Sequence, residues 1–159
     1  SKNITVSTLV AIPGRSEHHT GYAVDFGVIS NKVVSDYDGT GNYAWINENS
    51  YKYGFIVRYK TDKSDLTGIA NEPWHFRYVG QPHAYIITQN GFCYEEYIDY
   101  LKQFTFAKNH LQTADATGAK YEIYYIPAEE TTTKVPVPKD KTYSISGNNV
   151  DGFIVTVTL

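Results

Sequence analysis

Residues 4–12 (Ile-Thr-Val-Ser-Thr-Leu-Val-Ala-Ile) form an apolar, β-branched run that predicts a strand or extended entry, broken by Pro13-Gly14. Over residues 22–28 the pattern alternates. Tyr22, Val24, Phe26 and Val28 take one side and Ala23, Asp25 and Gly27 the other, so the Asp25 carboxylate points away from the apolar row. The Asp- and Gly-rich cluster 36–42 reads as a turn. Residues 44–53 read as a helix stopped by Gly54 at C′, and 55–59 as a strand. Residues 61–71 are polar and read as loop, 76–79 as a strand, 81–89 as a short helix. Over 93–104, Tyr94, Tyr97, Ile98 and Leu101 share one helical face. The last third changes character. Residues 120–126, 142–146 and 153–158 read as strands, with a turn at Asp151-Gly152 and a Thr-, Pro- and charge-rich connection over 129–140. The pattern predicts an α+β core over 1–107, followed by a β-rich extension over 108–159 packed on that core.

Composition narrows the function classes. At 159 residues, 42% apolar and 19% charged, the chain is of ordinary globular make-up. A net charge of −3 argues against nucleic acid, whose binders carry a clustered basic excess. Cys93 is the single cysteine, which excludes an internal disulfide framework and a multi-cysteine zinc site. No apolar run reaches bilayer length, and no secretory signal precedes the first strand. With no methionine and Ser1 first, the sequence is expected to be a processed or trimmed form. The 15 tyrosines suit sugar or peptide contacts and, equally, rings half-buried on sheets.

Two segments carry chemistry: Ser16-Glu17-His18-His19-Thr20-Gly21-Tyr22-Ala23-Val24-Asp25 and Glu72-Pro73-Trp74-His75-Phe76-Arg77-Tyr78-Val79-Gly80. A catalytic zinc takes three protein ligands and keeps one position open. His18, Asp25 and His75 offer two imidazoles and a carboxylate. Glu72, three residues before His75, is close enough to share the cavity as a base, its backbone stiffened by Pro73. As spacings, His-x(6)-Asp and Glu-x-x-His are common by chance. Each residue alone fits a surface histidine, a capping acid or a solvated loop acid.

Together the two segments resemble the zinc D,D-carboxypeptidases, a family that includes the VanY-type vancomycin-resistance enzymes and the L,D-carboxypeptidases of Gram-positive cell walls. The resemblance runs from about Pro13 to Leu101, and includes Trp45-Ile46, Tyr53 to Tyr59, Thr67-Gly68-Ile69 and Cys93 to Tyr97. It implies the fold shared by D,D-peptidases and the Hedgehog signalling domain, a small, mainly antiparallel sheet flanked by helices. It further implies Zn2+ as cofactor, held by His18, Asp25 and His75, with Glu72 as catalytic base and Ser16 and Trp74 lining the substrate site. Gly21 and Ala23 are expected to be small because backbone or substrate passes close. Arg58 and Arg77 are expected to brace the sheet, His19 to be exposed and Cys93 to be packed. The implied reaction is removal of the terminal D-Ala from a peptidoglycan stem peptide. An L,D-carboxypeptidase acting on tetrapeptide stems and a non-catalytic, zinc-containing cell-wall binding module are the alternatives. The implied setting is extracytoplasmic, in the cell envelope of a Gram-positive bacterium, with membrane or wall association through segments not in this chain. Members of the family usually also carry an upstream arginine in a Ser-Gly-Tyr-Arg-type segment that this sequence does not contain; either that segment has been cut away or Arg15 substitutes for it. Loss of such an electrophilic group costs on the order of a hundred- to a thousandfold in rate, so the chain by itself is expected to bind zinc and cleave slowly.

Overall fold

The computed structural model describes residues 14–159, so the strand expected over 4–12 lies outside the described residues. The chain is α+β and divides into two compact units between Cys93 and Tyr94. The sequence reading puts the division at 107/108. The helix at Tyr94–Leu101 instead belongs with the strands that follow it, because the segment after it is stitched to one of them. Tyr125 N–H donates to Phe104 O at 2.7 Å, and Thr105 bridges Tyr125 in parallel. No helix among the described residues is long and apolar enough to cross a membrane.

The first unit is built on a three-stranded antiparallel sheet of order β1-β5-β4, from β1 (Ala23–Asp25), β4 (Phe55–Tyr59) and β5 (Glu72–Tyr78). A hairpin of β2 (Gly27–Ser30) and β3 (Val33–Asp36) precedes a short helix α1 (Ala44–Asn49). The helix expected over 44–53 finishes as a 3-10 turn at Ser50–Tyr53 and stops at Gly54 with φ +84°. Only glycine suits that site. A Cβ there would also meet the Tyr78 ring at 2.7 Å and Gly80 Cα at 3.1 Å. The loop expected over 61–71 contains a 3-10 turn (Thr61–Lys63) and one turn of helix α2 (Ser64–Thr67), where the Ser64 hydroxyl donates to Thr61 O and the Thr67 hydroxyl bonds the Ile69 backbone, with little apolar periodicity to announce them. Helix α3 spans His83–Gln89 and buries Ala84, Ile86 and Ile87.

The register gives this sheet two different faces. Val24 lies opposite Phe76, which lies opposite Val57. These apolar residues share one face with Phe26, where Phe76 meets the Phe26 ring edge-on at 5.0 Å. Asp25 lies opposite His75, and Ala23 opposite Arg77, which faces Ile56 on β4. Because side chains alternate along a strand, Asp25, His75, Arg77 and Arg58 fall on the other, polar face.

The second unit holds helix α4 (Tyr94–Leu101) and an antiparallel sheet of order β6-β7-β9-β8, from β6 (Leu111–Ala114), β7 (Lys120–Pro127), β8 (Tyr143–Gly147) and β9 (Gly152–Thr158). Strand β6 is not predicted by the sequence pattern, since Leu-Gln-Thr-Ala is too short and too mixed to show a period. The β7–β9 pairing runs in unbroken register from Tyr121↔Thr158 to Pro127↔Gly152. Tyr124, Ile126, Val155 and Val157 form the apolar cluster on this pair. The connection expected to be exposed over 129–140 is anchored in part, because Val135 and Val137 pack against that cluster and Tyr124 Oη donates to Pro136 O at 2.6 Å. At the start of β9 a Cβ on Gly152 would sit 2.3 Å from Ile126 O and 2.5 Å from the Tyr125 ring, whereas one on Gly147 would meet nothing within 4 Å. Gly152→Ala is therefore expected to destabilise the second unit by about 1–3 kcal/mol or more, the usual scale of overpacking. Gly147→Ala is expected to cost well under that. Denaturant midpoints of the two variants check the difference.

Candidate metal centre

Ser16-Glu17-His18-His19-Thr20 folds as a 3-10 turn over Glu17–Thr20. The Ser16 hydroxyl caps it by accepting from His18 N–H at 3.3 Å. Gly21 ends the turn with φ +75° and donates to His18 O. Among the described residues nothing lies within 4 Å of where its side chain would be, so the positive φ, and no close approach of backbone, accounts for glycine in this structure. The turn delivers His18 to the end of β1, and Asp25 follows on the same polar face.

The partner segment is a longer strand than expected. The sequence reading starts it at Phe76, yet β5 begins at Glu72. The irregularity sits inside it. Val57 pairs with Phe76 and Tyr59 with Glu72, so Arg58 alone spans Pro73, Trp74 and His75. Strict alternation would put Glu72 on the face opposite His75. The bulge re-aims it, and Glu72 Oε2 lies 3.7 Å from His75 Nδ1. Two further bonds hold the bulged segment: Phe26 N–H to Trp74 O at 3.0 Å, and the Asn47 side-chain amide of α1 to Pro73 O at 3.2 Å.

His18, Asp25 and His75 each turn one donor atom toward a common point, with all three atoms within 4.8 Å of one another. Asp25 Oδ1 is 2.9 Å from His75 Nδ1 and 3.3 Å from His18 Nε2. Tetrahedral ligands with bonds near 2.1 Å stand about 3.4 Å apart; the two separations at Asp25 are near that spacing, and the three residues could hold a metal. The His18 and His75 rings meet edge to face at 4.9 Å. The centre is walled on one side and open on the other. His75 and Glu72 side chains are 7% and 9% exposed, against 42% for His18 and 47% for Asp25. Burial raises the Glu72 carboxyl above its ordinary range, with Asp25 adding to the rise and His75 and His18 opposing it, which makes Glu72 a stronger base than a surface carboxylate. Trp74 is half-buried, His19 exposed and Cys93 buried.

Sequence reasoning assigned no part to Glu17. In the structure it sits behind His75. Its Oε1 accepts from Arg58 Nε at 2.8 Å and lies 3.2 Å from Arg77 Nη1, and its Oε2 lies 3.6 Å from His75 Nε2. Burial pushes this carboxyl up, but His75, Arg58 and Arg77 together outweigh it and hold the group down at about 2. The available signal was the pair Arg58 and Arg77, which fall on adjacent strands, are buried, and therefore need an anion between them.

Residues 1–81 match the family model described as VanY, D-alanyl-D-alanine carboxypeptidase. The chain is 47% identical over 148 residues to a D-alanyl-D-alanine carboxypeptidase of Enterococcus faecium, covering 92% of this chain and 46% of that protein. It thus spans under half the length of that curated relative. A solved structure of the vancomycin-resistance D,D-dipeptidase VanXYg, in complex with a D-Ala-D-Ala phosphinate analogue, superposes with a TM-score of 0.87 at 42% identity, over 94% of this chain and 61% of that one. The LD-carboxypeptidase LdcB superposes with a TM-score of 0.52 at 43% identity, over 58% of this chain and 44% of that one.

Proposed function

The chain belongs to the VanY D-alanyl-D-alanine carboxypeptidase family, and from that premise we propose that it is the zinc-binding, hydrolytic part of an enzyme that removes the terminal D-Ala of peptidoglycan stem peptides. The observation that carries the reading is the convergence of His18 Nε2, Asp25 Oδ1 and His75 Nδ1, with a fourth carboxylate, Glu72, beside them. Two imidazoles and one carboxylate match the donor sets of catalytic zinc sites, which leave one position open. Zinc held there would supply Lewis acidity, which acidifies water and polarises a carbonyl. Glu72 takes a proton from the attacking water as its oxygen adds to the carbonyl carbon of the penultimate residue. It returns that proton to the departing amine as the C–N bond breaks, releasing D-Ala and a stem one residue shorter. The buried side of the centre keeps Glu72 desolvated, and the open rim at His18 and Asp25 admits the chain end. In this reading Trp74 and Ser16 line the substrate, with the Ser16 hydroxyl shared with the turn that it caps. A peptidoglycan substrate supports an extracytoplasmic setting in the cell envelope, of a Gram-positive bacterium in this reading, with attachment through segments outside this sequence.

The likeness to LdcB favours a second reading, in which the tetrapeptide stem is cut. Mass spectrometry of stem tripeptide, tetrapeptide and pentapeptide after incubation with the zinc-loaded protein separates the two. The assay is run on the 159-residue chain and on the full-length protein. Loss of one D-Ala from the pentapeptide, with the tripeptide untouched, is expected. Preferential cleavage of the tetrapeptide would move the assignment to the L,D-class. Intact peptides with zinc bound would leave only a binding module.

A further inference from the structure

A neutral imidazole has one N–H and one lone pair, and a histidine can hold a metal only if the ligating nitrogen keeps the lone pair. His75 turns Nδ1 toward Asp25 at 2.9 Å and Glu72 at 3.7 Å, and Nε2 toward Glu17, so without a metal Asp25 competes for the ring proton, and with one the proton must stand on the Glu17 side. The Nε2 atom of His75 and the Oε2 atom of Glu17 are both buried and lack a hydrogen-bond partner. Among the described residues the side chains contain one further such atom, Gln81 Oε1. These two orphans face each other at 3.6 Å. That is too long for a formed hydrogen bond, yet short enough that a small closure would satisfy both. Burying polar atoms unpaired costs free energy, so the pair is poised to close. The other oxygen of Glu17 is already engaged by Arg58 and Arg77. Two guanidinium groups keep the carboxylate anionic, and an anionic carboxylate only accepts. A hydrogen bond between them therefore requires the proton on Nε2.

We propose that Glu17, clamped by Arg58 and Arg77, is a positioning residue that selects the Nε2–H tautomer of His75 and so presents the Nδ1 lone pair to the metal. The inference rests on reading His75 as a ligand. It makes the Arg58–Glu17–Arg77 triplet more than a brace between strands β4 and β5, because it fixes which way the neighbouring imidazole is protonated and turned. Outer carboxylates of this kind raise the basicity of the histidine they hold and fix its ring.

Two measurements test it. Zinc affinity by competition against a chromophoric chelator is expected to fall by roughly 10–100-fold in Glu17→Ala, the scale for losing an outer partner, and by less in Glu17→Gln, whose amide oxygen can still accept. Nitrogen-15 NMR of the zinc-loaded, unaltered chain is expected to show a slowly exchanging Nε2–H on His75 with the downfield proton shift of a bond to a carboxylate, both reduced in Glu17→Gln. If the zinc-loaded, unaltered chain shows no such hydrogen-bonded Nε2–H, or if both variants bind zinc as tightly as it does, the proposal is overturned. Should Glu17→Ala fail to fold, the Nε2–H signal of the zinc-loaded, unaltered chain and the Glu17→Gln affinity decide alone. If the unaltered chain binds no zinc, the metal-centre reading fails and takes this proposal with it, whereas zinc binding without the Nε2–H signal overturns the proposal alone.

Discussion

Glu72→Gln is expected to lower cleavage of a D-Ala-D-Ala pentapeptide by roughly a hundredfold or more, the usual scale for losing a general base, while leaving zinc affinity close to that of the unaltered protein. The two halves of this expectation come from different features of the site. Glutamine keeps the volume and the carbonyl acceptor of glutamate, so the bulged segment, pinned at Pro73 O by Asn47 and at Trp74 O by Phe26, has no reason to move. The amide cannot take a proton from water. Glu72 lies 3.7 Å from His75 Nδ1 and is not among the three residues whose donor atoms converge, so removing its charge removes no proposed ligand. The measurement pairs a chelator competition titration with turnover followed by mass spectrometry. Wild-type turnover in the glutamine variant would refute the base assignment. Loss of zinc together with activity would make Glu72 a ligand and displace one of the proposed three.

Why Glu72 reaches His75 at all was not legible in the sequence. The hydrophobic pattern placed β4 to the residue and put Asp25 off the apolar row, because Val24, Phe76 and Val57 form a continuous apolar face and the alternation follows from it. The same period fails at Pro73. A strand read by strict alternation would either end there or point Glu72 away, and only the pairing of one residue with three restores the common face. Glu17 shows a different blind spot. It stands in a turn with no period, and its importance comes from two arginines more than forty residues away in sequence, brought together by the β5–β4 pairing. Local pattern carries no information about such a contact. The family motifs went further than the pattern because a motif carries long-range spacing: the histidine and aspartate segment and the Glu-Pro-Trp-His segment meet on β1 and β5 in direct register, Asp25 opposite His75. The short strand β6 and the helical turns over 61–67 were missed for the ordinary reason that four-residue elements contain too little repeat to read.

His75→Ala is expected to weaken zinc binding by more than about a hundredfold, beyond the range for losing an outer partner, and His19→Ala to leave it nearly unchanged. The two histidines stand in contrasting surroundings. His19 lies in the same 3-10 turn as His18 but is exposed, and its donor atoms are not part of the converging set. His75 is buried, sits at the centre of β5, and stacks at a tilt against the Tyr59 ring at 5.0 Å. Removing its imidazole leaves His18 and Asp25, both on the open rim, as a two-ligand site in contact with water, where solvent competes for the ion. It also leaves Glu17 facing a cavity with no cation or N–H on that side. The variant should therefore lose stability as a metal-free chain as well, so metal-free melting is recorded alongside the titration to separate the two losses. A folded His75→Ala protein that still holds zinc at wild-type affinity would remove His75 from the ligand set. Equal losses in His75→Ala and His19→Ala would mean that the turn as a whole, and not the converging donor atoms, governs binding.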